Sequence, residues 1–94
     1  MKEYTVDFEA EYIESKNDAT AGKLALEYVD NEHGLWKDDI AEVSDMEDGT
    51  YMIDFSPYYV QAKNSYIAWK KAEKYANDHN LEIVEIDEGY DIDD

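Results

Sequence analysis

Two stretches of the chain lie over one another without a gap: YTVDFEAEYIESKNDATAGKLALEY and, 47 residues later, YMIDFSPYYVQAKNSYIAWKKAEKY. Tyr4, Asp7, Phe8, Tyr12, Lys16, Asn17, Ala21, Lys23, Ala25 and Tyr28 recur as Tyr51, Asp54, Phe55, Tyr59, Lys63, Asn64, Ala68, Lys70, Ala72 and Tyr75. A duplication of this kind constrains the architecture more than any other feature, because both copies must be read with one plan.

From Glu3 to Tyr12 apolar and polar residues alternate, with Tyr4, Val6, Phe8, Ala10 and Tyr12 on one side and Glu3, Thr5, Asp7, Glu9 and Glu11 on the other. That period of two predicts one half-buried strand. After SKND, with Asp18 as candidate N-cap, Ala21, Leu24, Ala25 and Tyr28 fall at helical spacing and make one apolar stripe. HGLWKDD reads as a loop that holds His33, IAEVSDM as a second strand, and EDGT as a turn that uses glycine for a positive φ. The second copy repeats this with strand TYMIDFSPYYV, a helix over 65–77 with Ala68, Ala72, Tyr75 and Ala76 inward, and strand LEIVEID. Shifting the offset to 43 places IAEV over IVEI.

The order βαββαβ predicts an α+β, ferredoxin-like fold, a four-stranded antiparallel sheet with both helices on one face. It would be one domain over 1–94, with repeat units at about 3–47 and 50–88 and an acidic tail over 89–94. Pro57 lacks a ladder donor, so the third strand should bend, bulge or lose pairing there.

Composition enters through charge. Twenty-five acidic residues against eight lysines give a formal charge of −17, yet thirteen aromatics and a single proline argue for a folded chain. The acid is polarised: residues 51–80 carry a net +1 and the remainder −18. A field of that sign repels phosphates and speaks against direct nucleic-acid binding. The absence of cysteine removes disulfides and thiolate metal sites. With no membrane-length apolar run and no signal-peptide core, a soluble, cytoplasmic protein is expected, in the host cytoplasm if phage-encoded.

Catalytic signatures are weak, so no enzyme is expected. His33 and His79 have no serine or cysteine nucleophile pattern beside them, and His79, near a helix end, suits the helix dipole. No glycine-rich phosphate loop or His-x-x-x-His pair occurs, and neither DEGYDIDD nor DNEHG matches a calcium-binding loop, so no cofactor and no metal are expected.

On the first strand, outward carboxylates recur about 6.7 Å apart, roughly the spacing of phosphates along a nucleic-acid strand. In size, polarised charge and its richness in acid and tyrosine, the chain resembles the small acidic DNA-mimic inhibitors that phages and plasmids use against restriction enzymes, CRISPR effectors and other nucleic-acid-binding proteins. HGLWKDD also resembles the Gly-x-Trp-x-Asp stretch of the plasmid antirestriction ArdA family. It offers Gly34, Trp36 and Asp38. The resemblance implies a non-enzymatic inhibitor that occupies the nucleic-acid site of a protein partner.

Glu3, Asp7, Glu9, Glu11 and Glu14 would form the main row, widened by Asp38, Asp39, Glu42, Trp36, Asp87, Glu88 and Asp91. Solvated acidic surface is the plain alternative. The competing functional reading is an interaction module, a homodimer or a binder of a partner unrelated to nucleic acid, with an apolar interface centred on Trp36, Tyr58 or Tyr66. Trp69 would belong to the core or its rim, and Lys70, Lys71 and Lys74 of the second helix to a solvated face or to a complementary patch for self-association.

Overall fold

A computed structural model describes the backbone of residues 1–91, and the side chains up to Gly89. The chain is α+β: β1 (Lys2–Phe8), β2 (Glu11–Glu14), α1 (Asp18–His33), a 3-10 turn (Lys37–Asp39), β3 (Ile40–Asp45), β4 (Thr50–Phe55), β5 (Tyr58–Ala62), α2 (Ser65–Asp78) and β6 (Ile83–Asp91). The strands form two three-stranded antiparallel sheets, ordered β5-β1-β6 and β2-β4-β3. This replaces the expected single four-stranded sheet with two helices on one face. Two compact units result, one made of Met1–Phe8 with the chain from Pro57 onward, the other of Glu9–Ser56.

The difference arises where each long strand was expected to run straight. Both copies break at the same place, Glu9–Ala10 and Ser56–Pro57. In the second copy the cause is explicit: Pro57 has no N–H to give the ladder, and the residue before a proline is conformationally restricted. The break also switches parity. Tyr51, Ile53 and Phe55 are buried at odd positions, whereas Val60 and Ala62 are buried at even ones. In the first copy Tyr4 and Val6 are buried, but beyond the break Tyr12 turns out, 57% exposed, and Glu11 turns in.

The two sheets nevertheless share one register. Val6 lies opposite Tyr58 and Ile86, and Ile53 opposite Glu11 and Val43, which are the same places under the 47- and 43-residue offsets. Each central strand, β1 or β4, therefore pairs with strands that flank the helix of its own unit, and β1 finds its partners in the other copy of the repeat.

Recurrence of Asn17 and Asn64 is explained by the helix starts. Each side chain accepts from the backbone N–H three residues on, Thr20 at 2.9 Å and Ile67 at 3.0 Å, so the N-cap is Asn17 and not Asp18. Alanines on the buried faces, Ala21 and Ala25 in α1 and Ala68, Ala72 and Ala76 in α2, let each helix lie close to its sheet. In the unit of β1, this puts Ala68 and Ala72 against Tyr4, Val6, Val60 and Ala62. Gly34 ends α1 with φ +62, its N–H bonded to the Asp30 carbonyl, and Gly49 takes φ +91 in the β3–β4 turn as the EDGT motif implied. Gly89 serves a different need: a Cβ there would lie 2.8 Å from the Glu3 carbonyl oxygen, beside the register shift between Lys2 and Tyr4.

Candidate functional site

Alternation divides each sheet into a helix-facing side and an opposite side, and acid collects on the latter. In the β5-β1-β6 sheet the opposite side carries Glu3 and Asp7 from β1 with Glu85 and Asp87 from β6, Asp7 standing directly across from Glu85. One carboxylate oxygen from each of Asp7, Glu85 and Asp87 lies within 4.8 Å of the others. Oxygen donors of this kind suit Ca²⁺ or Mg²⁺, and with Glu85 and Asp87 exposed they are open to screening by either ion. Opposed like charges on neighbouring strands destabilise a sheet. The same opposition recurs in the second sheet, where Glu42 faces Asp54, the repeat equivalents of Glu85 and Asp7.

Charge is unequal between the units. Glu9–Ser56 holds fourteen acidic residues against three lysines, a net −11, and the remainder of the chain eleven against five, a net −6. The second helix supplies three of those five, with Lys71 bonded to the Gln61 carbonyl and Lys74 to Asp78.

The row expected on the first strand is divided by the break. Glu3 and Asp7 lie in the first sheet, Glu9 between the strands, and Glu14 on the opposite side of the second sheet, across from Thr50. Glu11 faces the helix instead. Its Oε1 accepts from the Tyr28 hydroxyl and lies 2.9 Å from His33 Nε2. His33, expected in a loop, is the last residue of α1 and is 4% exposed, its ring edge-on to Tyr28 and to Phe55. The repeat places Glu11 over Tyr58 and Tyr28 over Tyr75, and in the other unit Tyr58 stacks on Tyr75 at 4.0 Å. One site in the plan is thus filled by a charged hydrogen-bond cluster in one unit and by an aromatic stack in the other.

Asp39 is engaged locally, its carboxylate accepting from the Trp36 N–H at 2.9 Å, which fixes the 3-10 turn. Asp38 is exposed beside it, and the Asp38 carbonyl accepts from Ser56. Glu42 accepts from the Ser44 hydroxyl. Glu88 pairs with Lys2 and Asp87 stays exposed; the Asp91 side chain and residues 92–94 lie outside the described residues. Among the aromatics expected at an interface, Tyr58 is half-buried in its stack, whereas Trp36 and Tyr66 are exposed; Trp69, expected in packing, is exposed as well. The second histidine, His79, directly follows α2 with its ring against Tyr75.

Hydrogen bonds to carboxylates push the phenols of Tyr28 and Tyr51 up to about 12, through Glu11 for Tyr28 and Asp18 for Tyr51, with burial and the negative charge adding to both. A phenol whose folded-state value is raised above its ordinary 10 adds stability that is complete below pH 10 and is lost as pH climbs through about 12. Tyrosinate absorbance should therefore keep rising beyond pH 11, with unfolding in the same window. Glu11→Gln should bring Tyr28 back toward 10, and Asp18→Asn should do so for Tyr51. A titration curve identical in wild type and both variants would mean that these bonds do not form.

No family model matches the chain, and no curated protein or solved structure matches it. Among the described residues no helix is long and apolar enough to cross a membrane.

Proposed function

We propose that the chain is a non-enzymatic, protein-binding inhibitor that imitates nucleic acid, filling a basic groove of a nucleic-acid-binding protein with its acidic sheet faces. The observation that carries this reading is the duplicated opposition of carboxylates, Asp7 with Glu85 and Asp54 with Glu42. Facing acids weaken a sheet, and both copies hold the pair, so the arrangement makes better sense as a surface for cations than as support for the fold. Glu3, Asp87 and Glu14 extend these faces, and Glu9 and Asp38 add exposed charge. Lysines and arginines of the partner would replace the counter-ions that the carboxylates hold in solution, the gain that drives proteins onto phosphates. His33, which pairs with Glu11, is itself buried.

Capture on the immobilised chain tests the proposal. At ~50 mM salt it should retain nucleic-acid-binding proteins from a bacterial lysate, and at ~500 mM salt release them, since such contacts weaken steeply with ionic strength. Added duplex DNA should compete the same proteins away. Salt-resistant partners indifferent to DNA would favour the second reading, an interaction module, whose support is the exposure of Trp36, Tyr66 and Trp69.

A further inference from the structure

The unit of β1 contains a groove of about 590 Å³ between the start of α2 and strand β6. Tyr66 and Trp69 form its helix wall, Val84 and Ile86 its strand wall, and Glu85 and Glu88 also line it. Tyr66 is 66%, Trp69 45% and Val84 64% exposed, a large apolar outlay for a chain this small.

The repeat supplies an internal control. Between α1 and β3 the positions of Tyr66 and Trp69 are taken by Ala19 and Gly22, and that of Val84 by Ala41. There the depression holds about 180 Å³, and Asp18 at its edge accepts from the Tyr51 hydroxyl at 2.7 Å. Both units reach the same strand registers, so the plan does not call for two aromatics at the head of the helix. Beside the groove, β6 pairs only with β1, which leaves its other edge without a strand neighbour among the described residues.

We propose that this groove docks an extended, basic peptide segment of a partner protein, which adds a strand to the free edge of β6 and lays an apolar side chain against Trp69. Edge pairing supplies main-chain hydrogen bonds, and pockets for alternate side chains supply selectivity. Charge fixes the kind of segment. The lining holds Glu85 and Glu88, the latter paired with Lys2, and Asp7 and Asp87 stand by Glu85 on the other side of the sheet. On the helix side Lys70 stands 5.6 Å from the Tyr66 ring centroid, so basic side chains of the segment turn to the strand. This site adjoins the acidic face of the same sheet and shares Glu85 with it, but it asks nothing of the partner's own ligand.

The test uses the full chain and a capped heptapeptide that alternates lysine with valine around a central phenylalanine, at about 150 mM salt to suppress loose charge pairing. Binding should shift the backbone amide signals of residues 65–70 and 83–88. A Tyr66→Ala/Trp69→Ala variant, which keeps every charge, should bind at least about tenfold more weakly. The same peptide N-methylated at alternate amides should lose binding to wild type, a control that needs no variant to fold. Equal affinity for the double variant, shifts that leave residues 65–70 unmoved, no binding, or a dimer in sedimentation whose second copy seals Trp69 would each overturn the proposal.

Discussion

An Asp7→Lys/Asp54→Lys variant is expected to be more stable than the wild type and to capture its partners about a hundredfold less well. Each new lysine stands opposite a carboxylate, Glu85 in one sheet and Glu42 in the other, turning two repulsive cross-strand pairs into attractive ones. Such changes are worth roughly 0.2–1 kcal/mol per pair, so the melting temperature should rise. Binding should move the opposite way, because close charge pairs across an interface contribute about 1.5 kcal/mol or more each, and two lost pairs make about two powers of ten. The salt dependence of the remaining capture should flatten at the same time. Thermal melts and capture at two salt concentrations check both halves. A variant that gains stability and binds as before would leave the acidic faces with no role beyond solubility.

Glu11→Ala should produce the largest loss of stability from a single polar side chain. It strands the Tyr28 hydroxyl and, more seriously, His33 Nε2, in a residue buried to 4% exposure. Leaving a buried polar group such as His33 without its partner costs about 1–3 kcal/mol, and the half-buried Tyr28 hydroxyl adds a smaller loss. A loss of about 2–4 kcal/mol is expected in denaturant unfolding, enough to matter for a domain of this size. Glu11→Gln, which keeps an acceptor in place, should recover much of it. Equal losses for alanine and glutamine would assign the stabilisation to the negative charge itself and not to the hydrogen bonds.

Much of this architecture can be read from the residues once the two copies are laid together. The helices, the glycine turn and the offsets of 47 and 43 all agree with the strand registers. The division of each long strand is harder to see. The second copy announces it through Pro57 and through Tyr51, Ile53 and Phe55 giving way to Val60 and Ala62, a switch from odd to even positions. The first copy has no proline, and the apparent alternation of Ala10 and Tyr12 with Glu9 and Glu11 hides the same switch. Propensity cannot tell which way a strand edge turns when acids occupy both parities; tertiary packing decides it. Hence Glu11, one more acid in a row by its spacing, is an inward hydrogen-bond acceptor. Its only trace in the sequence is its coincidence with Tyr58 in the other copy. The groove was equally hidden, since only the packing of α2 beside β6 brings Val84 and Trp69 together.

The division of the units has a consequence for the order in which the chain can fold as it is made. Glu9–Ser56 is continuous, so its four strand and helix segments are available together as soon as they leave the ribosome. β1 is produced before them but finds its neighbours only when β5 and β6 appear, about fifty residues and more later, a wait of roughly 2–10 s at ordinary rates of synthesis. Through that interval the apolar edge made by Tyr4, Val6 and Phe8 is unpaired, which is the situation in which strands meet wrong partners. The interleaved Glu3 and Asp7, and the net −11 of the segment that emerges next, act in that interval as electrostatic gatekeepers for a strand that has been translated but not yet placed.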